Sequence, residues 1–183
     1  PKWLFCNSCN KLKPANKWVR QEQSASLYCG SCSTESEKVF VVPTRFLISC
    51  EDGHIDDFPW KEWLNKFGTI NSGCEHNDLR YIQDNSDSSL SGVIVKCNDC
   101  GSQASMGNVF NNDYISQLKC SGKHPHLGDN FTPDQCDKKP KVVLKGASNS
   151  YFPVHESIIS IPPYSDWLTE AFEPADMQVY FDL

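Results

Sequence analysis

The sequence predicts an α+β fold in which zinc-ribbon modules carry small antiparallel sheets and few short helices. Three observations lead to it. Ten of the 183 residues are cysteine, and six of these stand in C-x-x-C pairs, at Cys6/Cys9, Cys29/Cys32 and Cys97/Cys100. Such a turn sets two thiolates on one side of a metal ion, whereas cysteines this close seldom meet disulfide geometry. The apolar runs between the pairs are of strand length and end in Pro, Gly or Ser/Asn/Asp clusters. One segment, residues 60–67, repeats its apolar positions with a helical period.

Composition bounds the rest. At 20.7 kDa, with 39% hydrophobic and 22% charged residues, the chain has ordinary globular usage, which excludes a disordered tail and a coiled coil. Its longest apolar run, Val39-Phe40-Val41-Val42, is far short of the roughly 20 residues that cross a bilayer. Pro1 opens the chain and the methionines are Met106 and Met177, so a piece of a longer protein is expected. Three segments are predicted: a zinc-ribbon module over 1–37, a strand-loop-helix core segment over 38–96, and a second zinc-binding module over 97–183. Ten thiols kept for metal suit a reducing cytoplasm.

Within the first module, Cys6, Cys9, Cys29 and Cys32 have the layout C-x2-C-x19-C-x2-C, two knuckles that close one tetrahedron around structural zinc, with Trp3, Phe5 and Trp18 as packing. Residues 38–49 read as strand interrupted by Pro43, which marks an edge, a bend or two short strands. Trp60, Trp63, Leu64 and Phe67 lie at i, i+3, i+4 and i+7, one face of an amphipathic helix. Asp57 stands as its N-cap, Pro59 in the first turn and Gly68 as the stop. Two tryptophans on so short a helix read as core anchors.

After a polar turn at 84–92, residues 93–96 form a strand that delivers Cys97. Cys97, Cys100, Cys120 and Cys136, spaced C-x2-C-x19-C-x15-C, are the second expected zinc site, with His124 and His126 as substitutes for either late ligand. Cys50, His54, Cys74 and His76 leave two readings open. They form a third metal site, or Cys50 is a small core residue and His54 belongs to a turn where it hydrogen-bonds backbone. Residues 141–144 and 158–161 read as strands, 146–149 as a tight loop and 166–172 as a helical turn.

Net charge is −6, and each site of four thiolates on one Zn2+ adds about two negative charges. The overall charge therefore opposes a global electrostatic grip on nucleic acid. Residues 1–20 nonetheless carry Lys2, Lys11, Lys13, Lys17 and Arg20 without an acid. Lys11, Lys13, Lys17 and Arg20, beside Trp3 and Trp18, are candidate phosphate contacts, and a solvated lysine face is the equal alternative. Residues 146–183 hold six acids and no Lys or Arg, which favours a protein partner there.

Arg45-Phe46-Leu47 leads to Cys50-x-x-Gly53-His54-Ile55-Asp56-Asp57-Phe58-Pro59-Trp60. Later come Cys97-x-x-Cys100-Gly101, Cys120-x-Gly122, Cys136 and Lys145-Gly146-Ala147-Ser148-Asn149-Ser150-Tyr151-Phe152-Pro153. In kind and order these strings resemble the DrmB family of the bacterial DISARM anti-phage systems. The family has Arg where this chain has Lys145 and an aromatic residue where it has His126. The resemblance implies a non-catalytic partner of a helicase-like ATPase, DrmA, in a cytoplasmic antiviral complex that engages phage DNA. More distantly, the chain resembles the cysteine-rich accessory domain of some DNA-repair helicases, which makes a repair role the nearest alternative.

Two functions follow. The first is a zinc-stabilised scaffold serving a DNA-translocating complex, with no enzymatic activity in this chain. The second is a metal-dependent enzyme acting on nucleic acid, with His54, Asp56 and Asp57 as an open, water-activating site. Sites closed by four protein ligands have no vacant coordination position, which favours the scaffold.

Overall fold

The computed structural model describes residues 1–147 apart from Gln23, Asn71, Ser72, Asn85, Asp129 and Asn130. The strand expected at 158–161, the helical turn at 166–172 and the string from Ser148 onward lie outside the described residues. β1 (Trp3–Phe5) and β2 (Lys11–Pro14) form a hairpin through the Cys6–Cys9 turn, with Phe5 opposite Leu12. β3 (Val19–Arg20) and β4 (Leu27–Tyr28) make a separate two-stranded ribbon. Successive side chains on a strand face opposite ways. Leu4 therefore enters a small core with Cys6, Trp18 and Cys29, while Phe5 enters the main core.

Pro43 resolves as two short strands in different sheets. β5 (Val42–Pro43) pairs with β1 at the edge of the six-stranded sheet, where a residue without an N–H is tolerated. β6 (Phe46–Ser49) then enters a three-stranded sheet with β7 (Ile55–Asp57). Between them, fully buried Thr44 ties the crossing to β1, its N–H and hydroxyl both donating to the Trp3 carbonyl, at 3.0 and 3.2 Å.

The amphipathic segment is helix α1 (Trp60–Phe67), with Trp60, Trp63 and Leu64 buried. Its N-terminus differs from expectation. Pro59 occupies the cap position without a side-chain hydrogen bond, and Asp57 belongs to β7. The Asp57 carboxylate instead accepts the N–H groups of Lys2, at 2.8 and 2.9 Å, and Trp3, at 3.4 Å, tying the start of the chain to the second sheet. Sheet pairing of Asp57 with Leu47 holds its backbone away from the first turn of the helix.

The remaining elements are β8 (Leu79–Gln83), β9 (Val93–Cys97), β10 (Gln103–Ser105), α2 (Asn112–Ile115) and β11 (Lys141–Leu144). The six-stranded sheet runs β10-β9-β8-β2-β1-β5 and the three-stranded sheet β11-β6-β7, with every pairing antiparallel. Strands from all three sequence segments thus share the larger sheet. An aromatic chain joins the elements: Phe5 to Tyr81 at 4.6 Å, Tyr81 to Trp60 at 5.8 Å, Trp60 to Phe46 at 6.0 Å and Trp63 to Phe67 at 4.5 Å. Edge-on and tilted geometries of this kind add about 0.5–1.5 kcal/mol per pair beyond burial. No described helix is long and apolar enough to cross a membrane.

Gly68 ends α1 for a steric reason rather than a left-handed one. Its φ is −72°, and its N–H returns to the Leu64 carbonyl at 2.9 Å. A Cβ there would collide with that carbonyl and with Ser102 Oγ. Gly68→Ala is expected to destabilise the fold by about 1–3 kcal/mol, read as a lower urea midpoint at constant m-value. An unchanged midpoint would show that helix and β10 separate freely.

Candidate metal centres

The topology brings the cysteines and histidines into three four-donor sets: Cys6, Cys9, Cys29 and Cys32; Cys50, His54, Cys120 and Cys136; and Cys74, His76, Cys97 and Cys100. Within each set the donor atoms all lie within 4.8 Å of one another, and all ten cysteines are free thiols.

The first and third sets are built on the same turn, the one lying toward the end of β8 and the other beyond its start. In one, the Cys6 N–H donates to the Lys11 carbonyl at 3.0 Å and the Asn10 N–H to the Cys6 carbonyl at 2.8 Å. In the other, the Cys97 N–H donates to the Ser102 carbonyl at 2.8 Å and the Gly101 N–H to the Cys97 carbonyl at 2.9 Å. Both turns need a left-handed residue after the second cysteine, supplied by Asn10 (φ 59°) and Gly101 (φ 78°), residue types that tolerate it. Cys29 and Cys32 complete the first set through the Cys29 N–H to Val39 carbonyl bond at 2.9 Å. Cys74 and His76 reach the third because they shortly precede β8, which pairs Leu79 with Cys97.

The second set stands on the smaller sheet. Cys50 and His54 flank the β6–β7 turn, where the Cys50 N–H donates to the His54 carbonyl at 3.1 Å and Gly53 takes φ 80°. Cys136 precedes β11, which pairs with β6 from Lys141 opposite Ser49, and the Ile55 N–H donates to the Lys123 carbonyl at 3.1 Å, drawing in the segment after Cys120.

This grouping corrects the expected one. Cys97 and Cys100 do not share a site with Cys120 and Cys136, and Cys50 and His54 do not share one with Cys74 and His76. Strand pairing overrides proximity in sequence: β9 lies beside β8, whereas β11 lies beside β6. His124 stands outside the three four-donor sets, in a further group with His54 and Asp134. Its Nε2 lies 2.9 Å from Asp134 Oδ2, and its ring is 4.6 Å from that of His54 and 5.6 Å from that of His126. Nor do His54, Asp56 and Asp57 converge. Asp56 pairs with Lys123 at 2.9 Å, Asp57 holds the Lys2 and Trp3 backbone, and His54 faces the thiols.

Thiols packed this closely do not ionise alike. Burial opposes ionisation of Cys29 and Cys50, but backbone N–H groups of Ser31 and Cys32, and of His54 and Asp52, together with neighbouring side chains, outweigh it, bringing each pKa down to about 7. The Cys9 side chain pushes Cys32 up to about 12, and burial pushes Cys97 and Cys120 up to about 11. One thiolate in a set hinders the next, so a full set of thiolates needs a cation among them.

Of the candidate phosphate contacts, Lys17 and Arg20 are exposed and Lys11 and Lys13 half-buried. Lys11 Nζ donates to Ser31 Oγ at 3.1 Å and Lys13 Nζ lies 5.5 Å over the Trp18 ring. Trp18 is buried, its Nε1–H donating to the Lys13 carbonyl at 3.1 Å, so it offers no face for base stacking. An open groove of about 950 Å3 runs between the Ile55–Trp60 string and the loop carrying Lys123, His124 and Phe131, so the loop spanned by Cys120 and Cys136 is one of its walls.

Serine substitutions distinguish the two groupings by counting metal ions per chain with native mass spectrometry. The combined Cys74→Ser and Cys97→Ser protein is expected to lose one ion relative to the parent, and the combined Cys97→Ser and Cys120→Ser protein two. The reverse result would restore the pairing by sequence proximity. Over 134 residues, 73% of its length, the chain is 34% identical to a protein named DISARM protein DrmB from Bacillus paralicheniformis, and it spans 22% of that relative. The relationship is DrmB-like. Residues 1–152 match the family described as Domain of unknown function (DUF8724), and the chain belongs to that family.

Proposed function

We propose that this chain is a zinc-stapled, non-catalytic scaffold of a DrmB-like protein, serving a helicase-like ATPase of the DrmA kind in a cytoplasmic DISARM-type anti-phage complex that engages DNA. The spacing of the donors supports zinc. Zn–S and Zn–N bonds of about 2.3 and 2.0–2.1 Å make tetrahedral edges of about 3.8 Å between sulfurs and about 3.6 Å between sulfur and nitrogen. The thiol pairs Cys9/Cys29, Cys50/Cys136 and Cys74/Cys97 lie 3.7, 3.9 and 4.0 Å apart. His54 Nδ1 is 3.2 Å from Cys50 and His76 Nδ1 is 3.6 Å from Cys100. Soft thiolates with imidazole select zinc over hard cations. The first site carries four thiolates, while the second and third carry three and a neutral imidazole, so they add less negative charge than four-cysteine sites would.

The scaffold reading rests on those closed donor sets. Four protein ligands leave no coordination position for water or substrate, so the ions supply folding free energy and Lewis acidity is not used. The DrmB-like relationship supports the DISARM setting and, through it, the ATPase partner. Zinc-replete protein is expected to co-purify with a DrmA-type ATPase, and protein stripped with a chelator is expected not to. A zinc-replete chain that fails to retain the ATPase would overturn the partnership and leave the repair-helicase accessory role as the reading to test.

Lys11, Lys13, Lys17 and Arg20 form a basic patch whose two exposed members, Lys17 and Arg20, are free to reach a phosphate backbone. Replacing Lys17 and Arg20 by Ala is expected to flatten the salt dependence of DNA binding by about one unit of slope for each phosphate that is no longer neutralised. An unaltered slope in fluorescence-anisotropy titrations would mean that both are merely solvated.

A further inference from the structure

His54, His124 and Asp134 bring three donors together beside the second centre, and their geometry separates a ligand from its supports. His54 Nδ1 faces Cys50 Sγ at 3.2 Å, so the ring offers that nitrogen to the metal and its Nε2 carries the proton. Nε2 lies 3.5 Å from Asp134 Oδ2, the same oxygen that His124 Nε2 approaches at 2.9 Å. The third centre repeats the plan with other residues. His76 Nδ1 faces Cys100 Sγ at 3.6 Å, and its Nε2 lies 2.9 Å from Asn65 Oδ1 on α1. Both imidazoles are almost fully buried, at 6% and 1% exposure, so neither Nε2–H can turn to bulk water for an acceptor.

Accepting the three-centre reading, we infer that Asp134, braced by His124, and Asn65 are the positioning residues that hold His54 and His76 as Nδ1 ligands. An acceptor on the far nitrogen of a ligating histidine fixes its tautomer and ring plane and makes the near nitrogen more basic. The two acceptors differ in kind: a carboxylate for His54, a neutral amide for His76. They also differ in support. Asn65 is carried on a helix, whereas Asp134 sits in the loop between Cys120 and Cys136 and is held by its N–H to the Gly122 carbonyl at 2.9 Å. Gly122 has φ 66°, and a Cβ on it would collide with the Asp134 carbonyl. The glycine two residues after Cys120 is thus required by the close approach of the segment that carries Asp134.

The test uses the whole chain loaded with 113Cd, whose resonance reports the ligands of each ion. The parent is expected to give three resonances, one from a four-sulfur site and two from three-sulfur, one-nitrogen sites. Asp134→Asn and His124→Ala are expected to shift the resonance of the second centre alone, and Asn65→Ala that of the third alone. Asp134→Asn is also expected to speed chelator-driven release of one zinc in three by about 10- to 100-fold. A second-centre resonance unmoved by Asp134→Asn, with unchanged release, would overturn the positioning role. Fewer than three resonances from the parent would instead overturn the three-centre reading, so the two failures are distinguishable.

Discussion

Four donors brought within a few ångströms oppose one another's ionisation, and three such sets, each able to hold a metal ion, stand where the strands of this fold meet. Each of the three sets joins pieces of backbone that are distant in sequence: a hairpin turn with a later knuckle, a hairpin turn with the ends of a long loop, and a knuckle with the approach to β8. Among the described residues the longest strands have five residues and the longest helix eight. Elements this short gain little from hydrogen bonding alone, so an ion held by such a set would add its binding free energy to folding.

The sets are also tied to one another and to the core. Cys6 and Cys29 belong to the small core under β1, and Cys97 to the main core. Arg80 on β8 spans the first and third sets. Its Nη1 donates to the Cys9 carbonyl at 2.7 Å, and its Nη2 pairs with Asp78 at 3.3 Å. The Asp78 and Asn77 N–H groups both reach Asp99 Oδ2 at 2.9 Å, between Cys97 and Cys100. Loosening either knuckle therefore disturbs the register of the strand between them. The second set works on the smaller sheet instead, and its loop forms one wall of the groove beside Trp60.

Much of this was legible in the residues. The C-x-x-C spacing announces a knuckle because two thiolates three positions apart must share a side of any metal. The i, i+3, i+4, i+7 pattern of Trp60, Trp63, Leu64 and Phe67 announces a helix because those positions share one face, and all but Phe67 are buried. Asp57 was misleading for a local reason: an acid before a proline and an apolar run looks like a cap, yet it pairs in β7 and holds the backbone of Lys2 and Trp3, some 54 residues away in sequence. Asp134 and Asn65 carried no signal, since an outer acceptor is defined by the ring it meets and by no spacing of its own.

The sequence by itself determined that the chain would carry metal-type donors, which residues could serve, and where the helix at residues 60–67 lies, because these follow from local spacing and side-chain chemistry. Tertiary structure alone decided which donors stand together. The halves of the second set, Cys50 with His54 and Cys120 with Cys136, bracket the whole of the third in sequence. Only the pairing of β11 with β6, and of β8 with β9, brings each half to its partner. Long-range strand register is set by the burial of faces across the whole fold and leaves no mark in the distance between one cysteine and the next.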